Sequence, residues 1–179
     1  MEPMQIEEPK LTLQCYKIHP DARLPEYGTE GAACFDLYSF LPEQTAVTVY
    51  SPRNEKVVRQ WDDRVNGVNL YPSERMLVPT GLIFGLMPHE SLRIHPRSGL
   101  ALKSGITVAN CEGVVDSDYV EQTFVMLMNI SEEPFVLQNS MRIAQGEVYF
   151  TPPQFDFVMI DEKPEPKTDR SGGFGSTGV

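Results

Sequence analysis

The sequence is short of the residues that build the commonest special cases. It holds three cysteines (Cys15, Cys34 and Cys111), one tryptophan and three histidines in 179 residues. An odd cysteine count without paired spacing argues against a disulfide framework and a zinc site, and favours reduced thiols in an intracellular setting. His19, His89 and His95 lack ligand spacing and read as structural or surface residues. Basic residues are outnumbered, 15 Lys and Arg against 25 Asp and Glu, for a net charge of −10. Nucleic acid and anionic membrane both need clustered positive charge, so neither is an expected partner; a local pocket of arginine and backbone N–H groups still suits a small phosphate ligand. No apolar run approaches the roughly 20 residues of a transmembrane helix, and the acidic, polar start MEPMQIEEPK does not read as a signal peptide. There is no internal repeat and little helical periodicity.

What is present reads as one all-β domain. A chain near this length buries roughly two-thirds of its unfolded surface. Fifteen prolines and 13 glycines punctuate short apolar segments, the pattern of many strands joined by turns. Residues 11–18 alternate, 76–86 read as strand, turn, strand, and 91–95 are short and extended. Residues 124–129 and 135–137 flank Ser131-Glu132-Glu133, expected as a hairpin loop. Residues 142–150 form another strand and 155–160 the last. Such a set suggests a sandwich, jelly roll or barrel over residues 1–160. Within it, residues 45–70 are charged, hold Trp61 and interrupt the strand rhythm. Residues 161–179 begin charged and proline-rich, so they should not pack alone, and end in a glycine-rich box; they read as a flexible C-terminal arm.

Several clusters carry chemistry. In Pro96-Arg97-Ser98-Gly99-Leu100-Ala101-Leu102-Lys103, Ser98 and Gly99 stand where a short helix would start. Free N–H groups there suit a phosphate and Arg97 adds a bidentate contact; taken alone, the motif reads more readily as a plain turn with a surface arginine. In the segment from Asn110 to Tyr119, Val114 and Val115 are expected in the core. Asp116 and Asp118 would share one face if extended, offering a base or a metal contact; an Asp-rich turn is the other reading. Asn110 has the donor and acceptor needed to read a base edge. In the tail, the glycines expose N–H groups to an anion, Arg170, Ser176 and Thr177 add charge and donors, and Phe174 suits stacking on a base. Asp36, Arg142 and Gln145 lie in apolar runs and stay ambiguous between structure and chemistry.

Taken in order, these clusters resemble the five motifs of the trimeric dUTPase family: GAACFDLYS (31–39), PRSGLALK (96–103), NCEGVVDSDY (110–119), MRIAQ (141–145) and RSGGFGSTG (170–178). The resemblance runs from about residue 11 to the C-terminus. It implies a jelly-roll-like β-barrel, a homotrimer in which three subunits build each site, and Mg²⁺-assisted hydrolysis of dUTP to dUMP and pyrophosphate, which lowers dUTP and supplies dUMP for thymidylate synthesis. It makes Asp116 the base that activates water for in-line attack on the α-phosphorus. Arg97, Ser98, Gly99 and Gln145 would hold phosphates. Mg²⁺ would be chelated mainly by the triphosphate, with Asp36 touching it through water. Asn110, Gly113, Val114, Val115 and the strand at Phe124 would read uracil, and Tyr119 would pack under the sugar and exclude a 2′-hydroxyl. Phe174 would close over the base while Arg170, Gly175, Ser176 and Thr177 cover the outer phosphates.

The sequence departs from the family pattern at four places. Cys34 and Glu121 stand where glycine is usual, and a positive φ at Glu121 would cost roughly 1 kcal/mol or more. Arg170 lies one residue closer to Phe174 than the commonest spacing. Residues 45–70 resemble an insertion of about 20 residues against the short loops of compact domains, expected as a surface loop or, through Trp61 among Arg53, Arg59 and Arg64, a partner surface. Two rival functions follow from the same resemblance. A dCTP deaminase would need a catalytic Glu where Met126 stands. A non-catalytic nucleotide-binding regulator would not need the Asp116 and Phe174 motifs that this chain keeps.

Overall fold

A computed structural model describes residues 11–168. Among them, one five-stranded antiparallel sheet runs in the order β10 (Ile106–Val108), β12 (Phe124–Asn129), β7 (Arg75–Pro79), β4 (Ala46–Tyr50) and β5 (Lys56–Gln60). A second runs β11 (Gly113–Asp116), β9 (Glu90–His95), β14 (Arg142–Phe150), β3 (Phe35–Tyr38) and β2 (Glu26–Tyr27). Two smaller pairs join β1 (Gln14–Lys17) to β8 (Leu82–Gly85) and β13 (Phe135–Leu137) to β6 (Val68–Leu70). One helix, α1 (Ser98–Ser104), follows β9.

Side chains alternate across a strand, and that alternation builds the core. Along β12, Val125, Leu127 and Asn129 are buried while Phe124 and Met126 face out. Val47, Val49, Met76, Val78, Val125 and Leu127 from the first sheet share one core with Phe35, Leu37, Leu92, Ile94 and Val115 from the second. Each large aliphatic side chain so buried contributes about 1.5–3 kcal/mol. Two antiparallel layers around one core form the jelly-roll-like arrangement expected of the chain. The strand pairing leaves β10, β5, β11 and β2 as edges, so the sheets do not close into a ring.

The turn between β7 and β8 depends on glycine. Gly81 has φ +72°, and a Cβ there would sit 2.7 Å from the Ala22 Cβ. Gly105 ends α1 at φ 63°, where its own N–H donates to the Leu100 carbonyl.

Four expectations are corrected. Residues 155–160 form no strand, and Phe157 and Met159 stand 98% and 89% exposed: an apolar composition makes a strand only where the segment pairs with a sheet edge, and these residues pair with none of the edges in this chain. The segment 131–133 is not a hairpin loop, because β12 pairs with β10 and β7 while β13 pairs with β6. Residues 45–70 do not interrupt the strand rhythm. They supply β4, β5 and β6, with Val47, Val49, Val68 and Leu70 buried. Val114 is 47% exposed, since only its neighbour Val115 points inward.

Candidate active site

The outer face of the sheet β11-β9-β14-β3-β2 carries the polar residues singled out in the sequence. Asp36 on β3 lies opposite Gln145 on β14, which lies opposite His95 on β9. Arg97 follows β9 by two residues and occupies the N-cap of α1 in extended geometry (φ −88°, ψ 125°), with no side-chain cap. Its Nε lies 2.9 Å from one Asp36 oxygen. Arg142 Nη1 lies 3.1 Å from the other. Arg97 Nη1 also donates to the Arg142 carbonyl at 3.2 Å, and Gln145 Nε2 donates to the Pro96 carbonyl at 3.2 Å. Four residues from three distant stretches of chain are thereby wired together. Ser98 and Gly99 are exposed at the start of α1, and a Cβ on Gly99 would meet nothing within 4 Å.

Beside this cluster a polar cavity of about 460 Å³ is lined by Arg23, Glu26, Asp36, Tyr38, Ser140 and Arg142 among others. Arg23 Nη2 donates to Glu26 at 3.1 Å, and its guanidinium lies 3.9 Å from the Tyr38 ring centroid. The Glu26 hydrogen bonds push the Arg23 pKa up, and burial is the main cause that raises the Tyr38 phenol. Arg23 and Glu26 were not legible as site residues, because no local spacing links them to Asp36; Tyr38, two residues along β3 from Asp36, lay within the 31–39 motif without being singled out.

The segment from Asn110 to Tyr119 starts beside His95, where Glu112 lies 3.7 Å from its Nδ1, and runs away from the cluster along the sheet edge to Asp116. Asn110 is exposed in the turn from β10 to β11, where Cys111 adopts φ 63° and the Glu112 N–H donates to the Asn110 carbonyl at 2.7 Å. A non-glycine residue held there costs about 1 kcal/mol or more. Asp116 ends β11 opposite Ser91, exposed, and Asp118 lies in the turn that follows. The two aspartates therefore do not share an extended face. Tyr119 donates its hydroxyl to the Gln122 carbonyl at 2.9 Å, and Phe124 stands 38% exposed at the start of β12. Glu121 is absent from the positive-φ residues, so the strain expected there does not arise. The strain sits at Cys111 instead.

Register separates the two groups. Asp116 lies three strands from Asp36 and four residues along, which at ordinary sheet spacings puts them about 20 Å apart. Arg97, Asp36, Arg142 and Gln145 come together in one chain; Asp116 does not join them. Arg170, Phe174, Gly175, Ser176 and Thr177 lie outside the described residues.

The dUTPase family model matches residues 65–178. A deoxyuridine 5'-triphosphate nucleotidohydrolase of Bartonella bacilliformis is 40% identical, covering 94% of this chain and 89% of its own. The chain belongs to the dUTPase family. Solved dUTPases share the fold. One of Staphylococcus bacteriophage 80alpha, solved with dUpNHpp, superposes with a TM-score of 0.66 at 19% identity, covering 95% of this chain and all of its own. One of phage phi11 of S. aureus, described with a structural Mg(II) ion, has a TM-score of 0.62 at 16% identity, covering 85% of this chain and 98% of its own.

The family implies a magnesium ion. Among the described residues, no three His, Cys, Asp or Glu side chains gather to hold a metal, and both Asp36 oxygens already face guanidinium groups. Such a donor set suits an ion that arrives on a triphosphate, since Mg²⁺ commonly keeps waters and substrate phosphates in its shell.

The remaining predicted features of this dUTPase-family chain are structural. Trp61 is partly buried against the core and Arg59 is bound to Glu74, so two members of the expected partner surface are also engaged within the chain. The cysteines are free; burial pushes the Cys15 thiol up, and burial with the nearby Glu147 charge pushes Cys34 up. Among the described residues no helix is long and apolar enough to cross a membrane.

Proposed function

We propose that this protein is a dUTP diphosphatase that takes magnesium-bound dUTP and releases dUMP and pyrophosphate. The observation that carries the proposal is the convergence of Asp36, Arg97, Arg142 and Gln145 from three stretches of a dUTPase-family chain onto one sheet face. Phosphoryl substitution needs positioning and charge neutralisation more than covalent help, and this cluster offers both.

Asp116 takes a proton from the water whose oxygen attacks the α-phosphorus in line. The bond from that phosphorus to the bridging oxygen breaks, and pyrophosphate leaves. Arg97, Ser98, Gly99 and Gln145 hold the phosphates; Asp36 would help hold a Mg²⁺ ion brought by the triphosphate, which would supply charge neutralisation there. Asn110, the β11 backbone from Gly113 to Val115, and Phe124 read uracil. Cytosine inverts one hydrogen-bond polarity there, a mismatch that costs about 1–3 kcal/mol per buried group. Tyr119 packs under the sugar. Phe174, with Arg170, Gly175, Ser176 and Thr177, closes the site as a lid.

The working form in this reading is a homotrimer. A gap of about 20 Å between Asp116 and Asp36 within one chain is too wide for one nucleotide site and favours a site shared between copies. The exposed apolar residues 155–160 suit burial against a neighbour, as does an open cavity of about 560 Å³ lined by Leu13, Leu24, Phe35 and Phe150 among others. An intracellular location fits the free thiols.

The test is pyrophosphate release and product analysis with dUTP, dCTP, dTTP and UTP, each with Mg²⁺. Release from dUTP alone, with dUMP formed, is expected. Folded protein that turns over none of them would sink the proposal and favour a non-catalytic nucleotide-binding role.

A further inference from the structure

The turn from β10 to β11 passes from one sheet to the other and carries Asn110, Cys111 and Glu112, all exposed. Its backbone is tied at several points: Ala109 N–H donates to Met126 at 2.8 Å, Cys111 N–H to Val108 at 3.1 Å, and Glu112 N–H to Asn110 at 2.7 Å. Even so, Cys111 sits at φ 63°, a conformation that persists only where the surroundings impose it. Among the described residues, Glu112 is where this turn is anchored through a side chain. Its carboxylate lies 3.2 Å from Arg93 Nη1 and 3.7 Å from His95 Nδ1.

Both partners are themselves held from β14. Arg93 lies over the Tyr149 ring at 5.3 Å, and His95 Nε2 lies 3.1 Å from Glu147 Oε1. A group gripped by residues whose own rotamers are fixed by further contacts is preorganised. These ion pairs are partly exposed, with Glu112 46% accessible, so they add little to stability. Their effect falls on the place of the turn.

We infer that Glu112 is a positioning residue for base recognition: gripped by Arg93 and His95, it holds the strained turn so that Asn110 presents its amide to the base. The inference rests on the assignment of Asn110 to uracil made above. Glu112 touches neither the base nor the phosphates. It acts through the turn, and its loss displaces Asn110 without disturbing the water, the base Asp116 or the phosphate cluster.

The test compares the wild type, E112A, E112Q, R93M and the E112A/R93M double variant as full chains, with dUTP and dCTP as substrates. Thermal melts and amide exchange at residues 110–112 are measured beside the kinetics. E112A is expected to raise KM for dUTP about tenfold with kcat within about twofold, the signature of lost binding in both ground and transition states. Its preference for dUTP over dCTP falls, exchange at 110–112 speeds up, and the melt stays put. E112Q still accepts a hydrogen bond from Arg93 and recovers most of KM. The double variant is no worse than E112A, because the pair acts as one unit. KM and base preference unchanged in E112A would overturn the inference, as would a joint fall of kcat and melting temperature with KM unchanged. A wild type that does not hydrolyse dUTP fails the earlier reading and takes this inference with it; a wild type that does, with E112A unaltered, fails this inference alone.

Discussion

The two five-stranded sheets share one core yet treat charge in opposite ways. The β10-β12-β7-β4-β5 sheet carries an arginine–carboxylate pair that closes on itself. Arg59 grips both oxygens of Glu74, donates to the Asn69 carbonyl at 3.0 Å and lies 4.6 Å from the Tyr71 ring centroid; Glu74 also accepts the Tyr71 N–H at 2.9 Å. Glu74 is buried. The other sheet places Asp36 between Arg97 and Arg142, with Arg142 54% exposed and a polar cavity alongside. A closed, buried pair serves the fold. An open pair with unused donors at a cavity mouth is available to a phosphate ligand.

The sharpest way to test that division is to remove charges from each sheet and compare activity with stability. D116N alters an exposed side chain at the end of β11 that makes no hydrogen bond or ion pair among the described residues. It is expected to lower kcat for dUTP about a thousandfold, the span of a lost general base. Its melting temperature should match the wild type. A D116N enzyme with normal turnover would remove Asp116 from the mechanism.

E74A should do the reverse. It strands Arg59 beside Tyr71, and an orphaned buried charge costs about 3 kcal/mol. Urea unfolding at fixed protein concentration should show that loss, while the folded variant keeps kcat within about twofold. Lost turnover at unchanged stability would erase the contrast between the sheets.

A smaller effect follows from the Glu74 carboxyl. Burial alone would raise its pKa, but the Arg59 hydrogen bonds, the Tyr71 N–H and the Arg59 charge outweigh burial and hold it below the ordinary 4.5. A carboxylate depressed in the folded state adds stability above its unfolded pKa and loses it as pH falls through the folded value. The stability gap between wild type and E74Q should therefore be full near neutrality and shrink below pH 4.5. A gap that widens in acid would show that the pair does not hold Glu74 ionised.

Much of this division was legible from local pattern, and some was not. Short apolar or extended runs bounded by turn residues marked β9, β12 and β14, and Ser98-Gly99 ahead of Leu-Ala-Leu-Lys marked α1, because both signals lie within a few residues. The part played by residues 45–70 was hidden. β5 is mostly exposed and carries Lys56 and Arg59, and its value lies in Arg59 meeting Glu74, a partner 15 residues away that no spacing rule names. The distance between Asp116 and Asp36 was equally illegible, since it depends on strand order and register. The apolar residues at 155–160 misled for the opposite reason: the composition suits a strand, but they pair with none of the edges this chain leaves open.

The smallest expected effect separates a site residue from a packing residue at one atom. Gly99 lies in the first turn of α1, where a Cβ would meet nothing within 4 Å. Nothing in the packing of the described residues requires glycine there, and alanine is the better helix former by up to about 1 kcal/mol. G99A should therefore leave the melt unchanged or raise it slightly. If phosphate approaches the backbone at that point, the added methyl meets the ligand instead of the protein, and dUTP hydrolysis should fall about tenfold through KM. A variant that is more stable and fully active would take Gly99 out of the phosphate site. One that melts lower would show that another chain of the assembly packs where this chain leaves open space.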